Sequence, residues 1–391
     1  MNPWVKLMAT LRGIARNVRE APRARFPAGL IGMLALVYAA ESFVTRHKLD
    51  ALDLNDWEYH VAHASAARRA RGCDVLCFGD SIMKMGVLPK SIEARSGLRA
   101  YNLAIRASQA PATYYVFRRA LNRGARPSAV VVDYNPTLLA RPPQINDYRW
   151  TYLLSPIDAL ELGLRTRDAD FLASLLVQGS LPSLRARRNL RPWILESVAG
   201  RYWTKRYETP IYLRHWVENQ GAMIELGNPA TPWNDKQHQR TFYTPDWAPD
   251  RVNADYLRAF MTLAESHGVT VYWLIPPTVP GLQAAKSSAG FDAKYVAFAQ
   301  TLQARFANLI VIDGRHANYD PKHFSDPDHL GVEAATALSE DLGDTIRRLR
   351  REIPPDRWVE LPRYRRRGNA PLIEDVKMAI RRTVETQEAR R

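Results

Sequence analysis

Ser81 stands in Gly79-Asp80-Ser81, directly after Val75, Leu76, Cys77 and Phe78. An unbroken apolar run of this length is what a strand buried on both faces requires, and the glycine ends it abruptly. The hydroxyl therefore lies at a strand's carboxyl end, the edge at which open α/β sheets bind ligands, with Ile82 to Met85 beginning a helix whose free N–H groups face it. An ordinary turn, in which Asp80 or Ser81 does no more than cap that helix, would use the same residues. A serine nucleophile needs in addition a base within hydrogen-bond reach and a third group that holds the base's tautomer. Phe324-Ser325-Asp326-Pro327-Asp328-His329-Leu330 supplies both types. Asp326 and His329 are three apart in a proline-containing turn, close enough for the carboxylate to meet the ring's Nδ1–H. The turn falls between a predicted strand, Leu309 to Asp313, and a predicted helix, Glu333 to Leu349.

The two stretches together resemble the SGNH/GDSL hydrolase superfamily, whose first block is GDS and whose last is D-x-x-H. The resemblance covers Asp74 to Arg350. It implies Ser81 as nucleophile, His329 as general base and Asp326, rather than Asp328, as orienting carboxylate, with no cofactor and no metal. It also implies an oxyanion hole built from the nucleophile's N–H, a glycine N–H after the second strand and an asparagine amide after the third. Here Tyr101 to Ser108 is the second block, with Ala107 or Ser108 where glycine is expected, and Asn135 is the asparagine placed to serve in the third. Gly331 stands where relatives often carry asparagine.

The elements that must position these residues follow from periodicity. Ala100 to Ile105 and Ala129 to Tyr134 read as strands around a helix, Thr113 to Asn122. Helix, glycine and strand return in Asn253 to His267, Gly268 and Val269 to Ile275, and Phe291 to Phe306 is a further helix before Leu309. Such alternation predicts βαβ units and a mainly parallel sheet with right-handed crossovers. The fold class is thus α/β, and the resemblance makes it a three-layer, flavodoxin-like sheet. Between Arg141 and Asp246 the alternation stops. This stretch, 141–246, holds half of the chain's ten tryptophans and is predicted to be a helical insertion whose aromatics form core. Any exposed near Ser81 would suit stacking on sugar rings.

The formal charge of +15 points to nucleic acid only until it is located. Residues 1–25 carry six Lys/Arg against Glu20, and residues 347–391 carry fourteen against seven Asp/Glu, which leaves +3 for everything between. The nearly neutral body excludes nucleic acid as the expected partner. Phe26 to Val44 is apolar except for Glu41 and Ser42 and has about the ~17–25 residues needed to cross a bilayer. Behind a basic 1–25 segment it predicts an uncleaved single-pass anchor, 26–45, with the body outside the cytoplasm. A buried helix or a cleaved signal peptide are the alternatives. Residues 46–71 are expected to form a helical connector with Leu52, Leu54, Trp57 and Val61 as its apolar stripe. The catalytic domain is expected at 72–350 and a basic tail at 351–391, in which Leu372 to Glu388 suits an amphipathic helix. Cys73 and Cys77 on one extended run would be ~13 Å apart at ~3.3 Å per residue, too far for a disulfide, which needs less than ~7 Å. No CxxC or HExxH spacing occurs.

The sequence therefore predicts a membrane-anchored serine esterase or O-acyltransferase. By resemblance its substrate is an acylated cell-envelope saccharide and its partner a membrane-bound O-acyltransferase. A non-catalytic scaffold of the same fold is the alternative.

Overall fold

The computed structural model describes residues 28–47, 49, 54–199, 211, 214, 216–224, 243–365 and 385–386. The segment 1–25, Trp203 and Trp233 of the insertion, and nearly all of 366–391 lie outside these. The chain divides into two compact units, Met1–Leu49 and Asp50–Arg391. In the first, α1 (Ala28–Arg46) is long and apolar enough to cross a membrane, with a mean hydropathy of 1.3 over Gly29–Arg46.

The second unit opens with α2 (Leu54–Arg68), β1 (Val75–Phe78), α3 (Ser81–Gly86), α4 (Pro89–Ser96), β2 (Ala100–Asn102), α5 (Ala110–Asn122) and β3 (Ala129–Val132). After α6 (Pro136–Leu139) the insertion supplies α7 (Asp147–Leu153), α8 (Pro156–Thr166), α9 (Ala169–Ser180), α10 (Pro182–Arg185) and α11 (Arg187–Val198). The alternation resumes with α12 (Arg251–Ser266), β4 (Thr270–Ile275), α13 (Pro280–Ser288), α14 (Phe291–Arg305), β5 (Leu309–Asp313), α15 (Val332–Leu349) and β6 (Trp358–Glu360). All strand pairs are parallel, in the order β2-β1-β3-β4-β5-β6.

Successive strand residues face opposite sides of a sheet, and here both sides are apolar. Leu76, Phe78, Val130, Val132, Val271 and Trp273 pack into one core with α5, α12 and α14. Val75, Cys77, Val131, Tyr272 and Leu274 pack into the other with α4 and α15. Burial on both faces explains why the strands read as apolar runs rather than as alternating patterns. Cys73 and Cys77 are free thiols, Cys77 being fully buried.

Two sequence boundaries need correction. The sheet does not end before residue 351: β6 pairs with β5 through Val311, Ile312 and Asp313, so the first part of the expected tail is structural. It is only three residues long, between Pro354-Pro355 and Pro362, and shows no periodicity. Helix α2 is also more than a connector, because Tyr59, Ala62 and Ala66, at i, i+3 and i+7, are buried in the first core. Val61, from the expected stripe, is only half-buried. Trp150 and Trp216 of the insertion are core residues, as expected of its aromatics, and Trp193 is half-buried.

Candidate functional site

Ser81 is the first residue of α3, behind an Asp80 whose carboxylate accepts the Ile82 N–H at 2.8 Å. The cap therefore belongs to Asp80 and leaves the serine hydroxyl unspent by the helix. Across the sheet edge, residues 323–331 form a hairpin closed by an antiparallel bridge between Phe324 and Leu330 and by Ser325 N–H donating to the His329 carbonyl at 2.8 Å. Within it Asp326 accepts the backbone N–H groups of Asp328 at 3.0 Å and His329 at 2.9 Å. Its carboxylate oxygens also lie 2.8 and 2.7 Å from His329 Nδ1, and His329 Nε2 lies 2.8 Å from Ser81 Oγ. Ser81, His329 and Asp326 thus form one continuous chain of hydrogen bonds. Asp328, by contrast, lines a neighbouring cavity.

Burial by itself lowers the His329 pKa, but the hydrogen bond and charge of Asp326, aided by Asp80 and Asp328, outweigh it and leave the imidazole above its ordinary 6.5. For Asp326 burial pushes upward, and His329 with the two backbone N–H groups prevails, so its carboxyl lies below the usual range.

The turn after β2 is built around two clamps. Ile105 N–H and the Ser108 hydroxyl both donate to the Gly79 carbonyl, at 3.0 and 2.7 Å, tying this turn to the one that carries Ser81. Glu58 of α2, only 3% exposed, accepts Arg106 N–H at 3.0 Å and Arg106 Nε at 2.8 Å. Asn146 Nδ2 holds the Ala107 carbonyl at 3.1 Å. Ala107 occupies the left-handed region at φ 54, the conformation that explains why glycine is expected there. Its N–H finds no acceptor among the described residues. Asn135 lies three residues beyond β3 and caps α6, its Oδ1 accepting Thr137 N–H at 2.9 Å and the Thr137 hydroxyl at 2.7 Å. Its side-chain amide acts on the buried Asp80 carboxylate. Gly331 N–H donates to the His323 carbonyl at 2.7 Å, so this position serves the hairpin.

Several site residues carried no sequence signal. Asp133 is buried beside Asp80 and accepts its N–H at 3.2 Å. Desolvation and the neighbouring Asp80 push the Asp133 carboxyl well above its ordinary value. A small cavity adjoins the serine and histidine through Ile82, Asn135 and Asp328. Tyr243, Lys286 and Arg315 line it as well. Among the described residues no cluster of His, Cys, Asp or Glu has the grouping a metal ion would need.

Behind the serine, Lys84 of α3 is fully buried with its ammonium 3.0 Å from the Trp216 ring centroid and no hydrogen-bond partner. Burial lowers its pKa to about 7, against an opposing pull from Glu58. Between about 7 and the unfolded value of 10.5 the unfolded chain binds the extra proton, so this group's contribution makes stability rise with pH across that window. Lys84→Met is expected to raise Tm at pH 6, by roughly 1–4 kcal/mol of stability, with the gain shrinking toward pH 10. Thermal unfolding monitored at both pH values checks this; a lower Tm at pH 6 would show that the Trp216 contact outweighs desolvation.

No family model matches this chain, and no curated protein matches it.

Proposed function

We propose that the chain is a membrane-anchored serine esterase or O-acyltransferase of the SGNH/GDSL type. The observation that carries the reading is the 2.8 Å contact between His329 Nε2 and Ser81 Oγ, with Nδ1 held by Asp326. The 2-1-3-4-5 order of the first five strands is that of a flavodoxin-like sheet, which supports the same assignment. Ser81 Oγ attacks the ester carbonyl while His329 takes its proton. The developing oxyanion meets the N–H groups of Ser81 and Ala107, with the Asn135 amide as a third donor. Collapse expels the alcohol, which receives the proton from His329, and leaves an acyl-Ser81. Water or an acceptor hydroxyl then attacks by the reverse path, the first giving hydrolysis and the second transfer. The envelope saccharide substrate, the O-acyltransferase partner and a body outside the cytoplasm rest on the resemblance and on the basic residues ahead of α1.

One observation favours the scaffold alternative: Asn135 is engaged as the cap of α6, its carbonyl oxygen accepting both the N–H and the hydroxyl of Thr137. Labelling separates the two. The detergent-solubilised full chain is expected to react with a fluorophosphonate probe, to carry the adduct on Ser81 by mass spectrometry, and to lose labelling in Ser81→Ala. A folded chain that takes no label would make it a scaffold.

A further inference from the structure

Outside α1, twelve large hydrophobic residues are exposed among the described residues, and nine of them fall between Ile157 and Val198. Soluble surfaces scatter such residues singly, whereas a concentration of them marks a contact surface. Helix α11 carries the clearest pattern, for none of its residues is buried. Arg187, Arg191, Ile194, Leu195 and Val198 stand at i, i+4, i+7, i+8 and i+11, which places all five on one face. All five are exposed, Val198 at 84%. Leu190, on the flank of that face, and Trp193, on the opposite side of the helix, are half-buried.

The stripe is graded along its length, with guanidinium groups at the amino end and aliphatic side chains at the carboxyl end. From Arg185 to Val198 four arginines face one acidic residue, Glu196. A purely apolar partner would leave the arginines without anions, and a purely acidic one would leave Ile194, Leu195 and Val198 in a polar setting. The boundary of an anionic bilayer offers phosphates and acyl chains within one helix length, and long arginine side chains reach up to the phosphates from below. We infer that α11 is an interfacial helix whose arginines bind anionic lipid headgroups while its carboxyl end enters the acyl region. Anchoring through α1 would supply proximity; the stripe supplies the contact.

Leu195→Cys in a Cys73→Ala background, spin-labelled in the full chain and reconstituted into phosphatidylcholine vesicles with and without phosphatidylglycerol, tests this. Cys77 is buried and unreactive to the label. With phosphatidylglycerol the label is expected to be accessible to oxygen and shielded from a water-soluble nickel chelate, at about 5–10 Å below the headgroups. Arg187→Ser/Arg191→Ser is expected to return it to the chelate. Chelate access in both vesicle types overturns the proposal, as does equal insertion without phosphatidylglycerol. An immobilised label shielded from both reagents, in vesicles and in detergent, overturns it in favour of cover by residues 200–242 or by a second copy.

Discussion

Asp326→Asn is expected to lower kcat on a short activated ester by about 10³–10⁴ while leaving the fold intact. An asparagine at this position offers Nδ1 either a donor or a neutral acceptor, so the imidazole loses both its fixed tautomer and the charge that stabilises its protonated form. The pH profile carries an independent sign. His329 must be neutral to take the Ser81 proton, and its pKa is raised above 6.5 in the folded chain, so activity should rise with pH through a midpoint above 6.5. Removing Asp326 deletes the largest raising influence and leaves burial, which lowers; the acid limb of the variant should therefore move to lower pH. Asp328→Asn should keep kcat within a few-fold, since the carboxylate hydrogen-bonded to the ring is that of Asp326. His329→Ala should be about as damaging as Ser81→Ala, because groups acting as one unit do not add. Asp328→Asn as the crippling change, or an unmoved acid limb in Asp326→Asn, would refute the assignment.

Gly79→Ala is expected to cost more stability than any other single methyl added near the site. A Cβ at this position would lie 1.6 Å from Asp133 Oδ1 and 2.9 Å from Met83 Cβ, on a backbone with φ +153. Asp133 is buried and its Oδ1 holds the Asp80 N–H, so it cannot swing away without orphaning that donor. The expected loss is on the order of 4 kcal/mol or more, at the diagnostic end of single substitutions. Chemical denaturation of Gly79→Ala, Asp133→Ala and the double variant should reveal coupling of roughly 1–3 kcal/mol, since the second change removes the colliding atoms. Additive losses would place the strain in the backbone alone.

The candidate site was legible in the sequence wherever its geometry is local. Asp326 and His329 are joined within one turn, so their spacing alone brings carboxylate and ring together. Asp80 and Ser81 open a helix at the end of an apolar run, so their place on the sheet edge follows from the run. Likewise the alternation of helix, glycine and strand indicated parallel βαβ units because each unit repeats its own pattern. Helix α1 needed only its length and composition.

The rest was decided by packing between distant segments. Ser81 and His329 are 248 residues apart, and only the order of the strands brings β1 and the hairpin beyond β5 to one edge. Strand β6 is too short to show a period and exists because β5 presents unpaired backbone to it. Glu58 reads as one more charge on a polar helix, and becomes the anchor of the Arg106–Ala107 turn only when α2 packs against it. Gly79 reads as a turn glycine, yet what forbids a side chain there is Asp133, 54 residues on. Chain connectivity sets what lies within one turn of helix or strand. Contacts across the sheet depend on which side chains the two cores bury together, a property of the assembled layers and of no single segment.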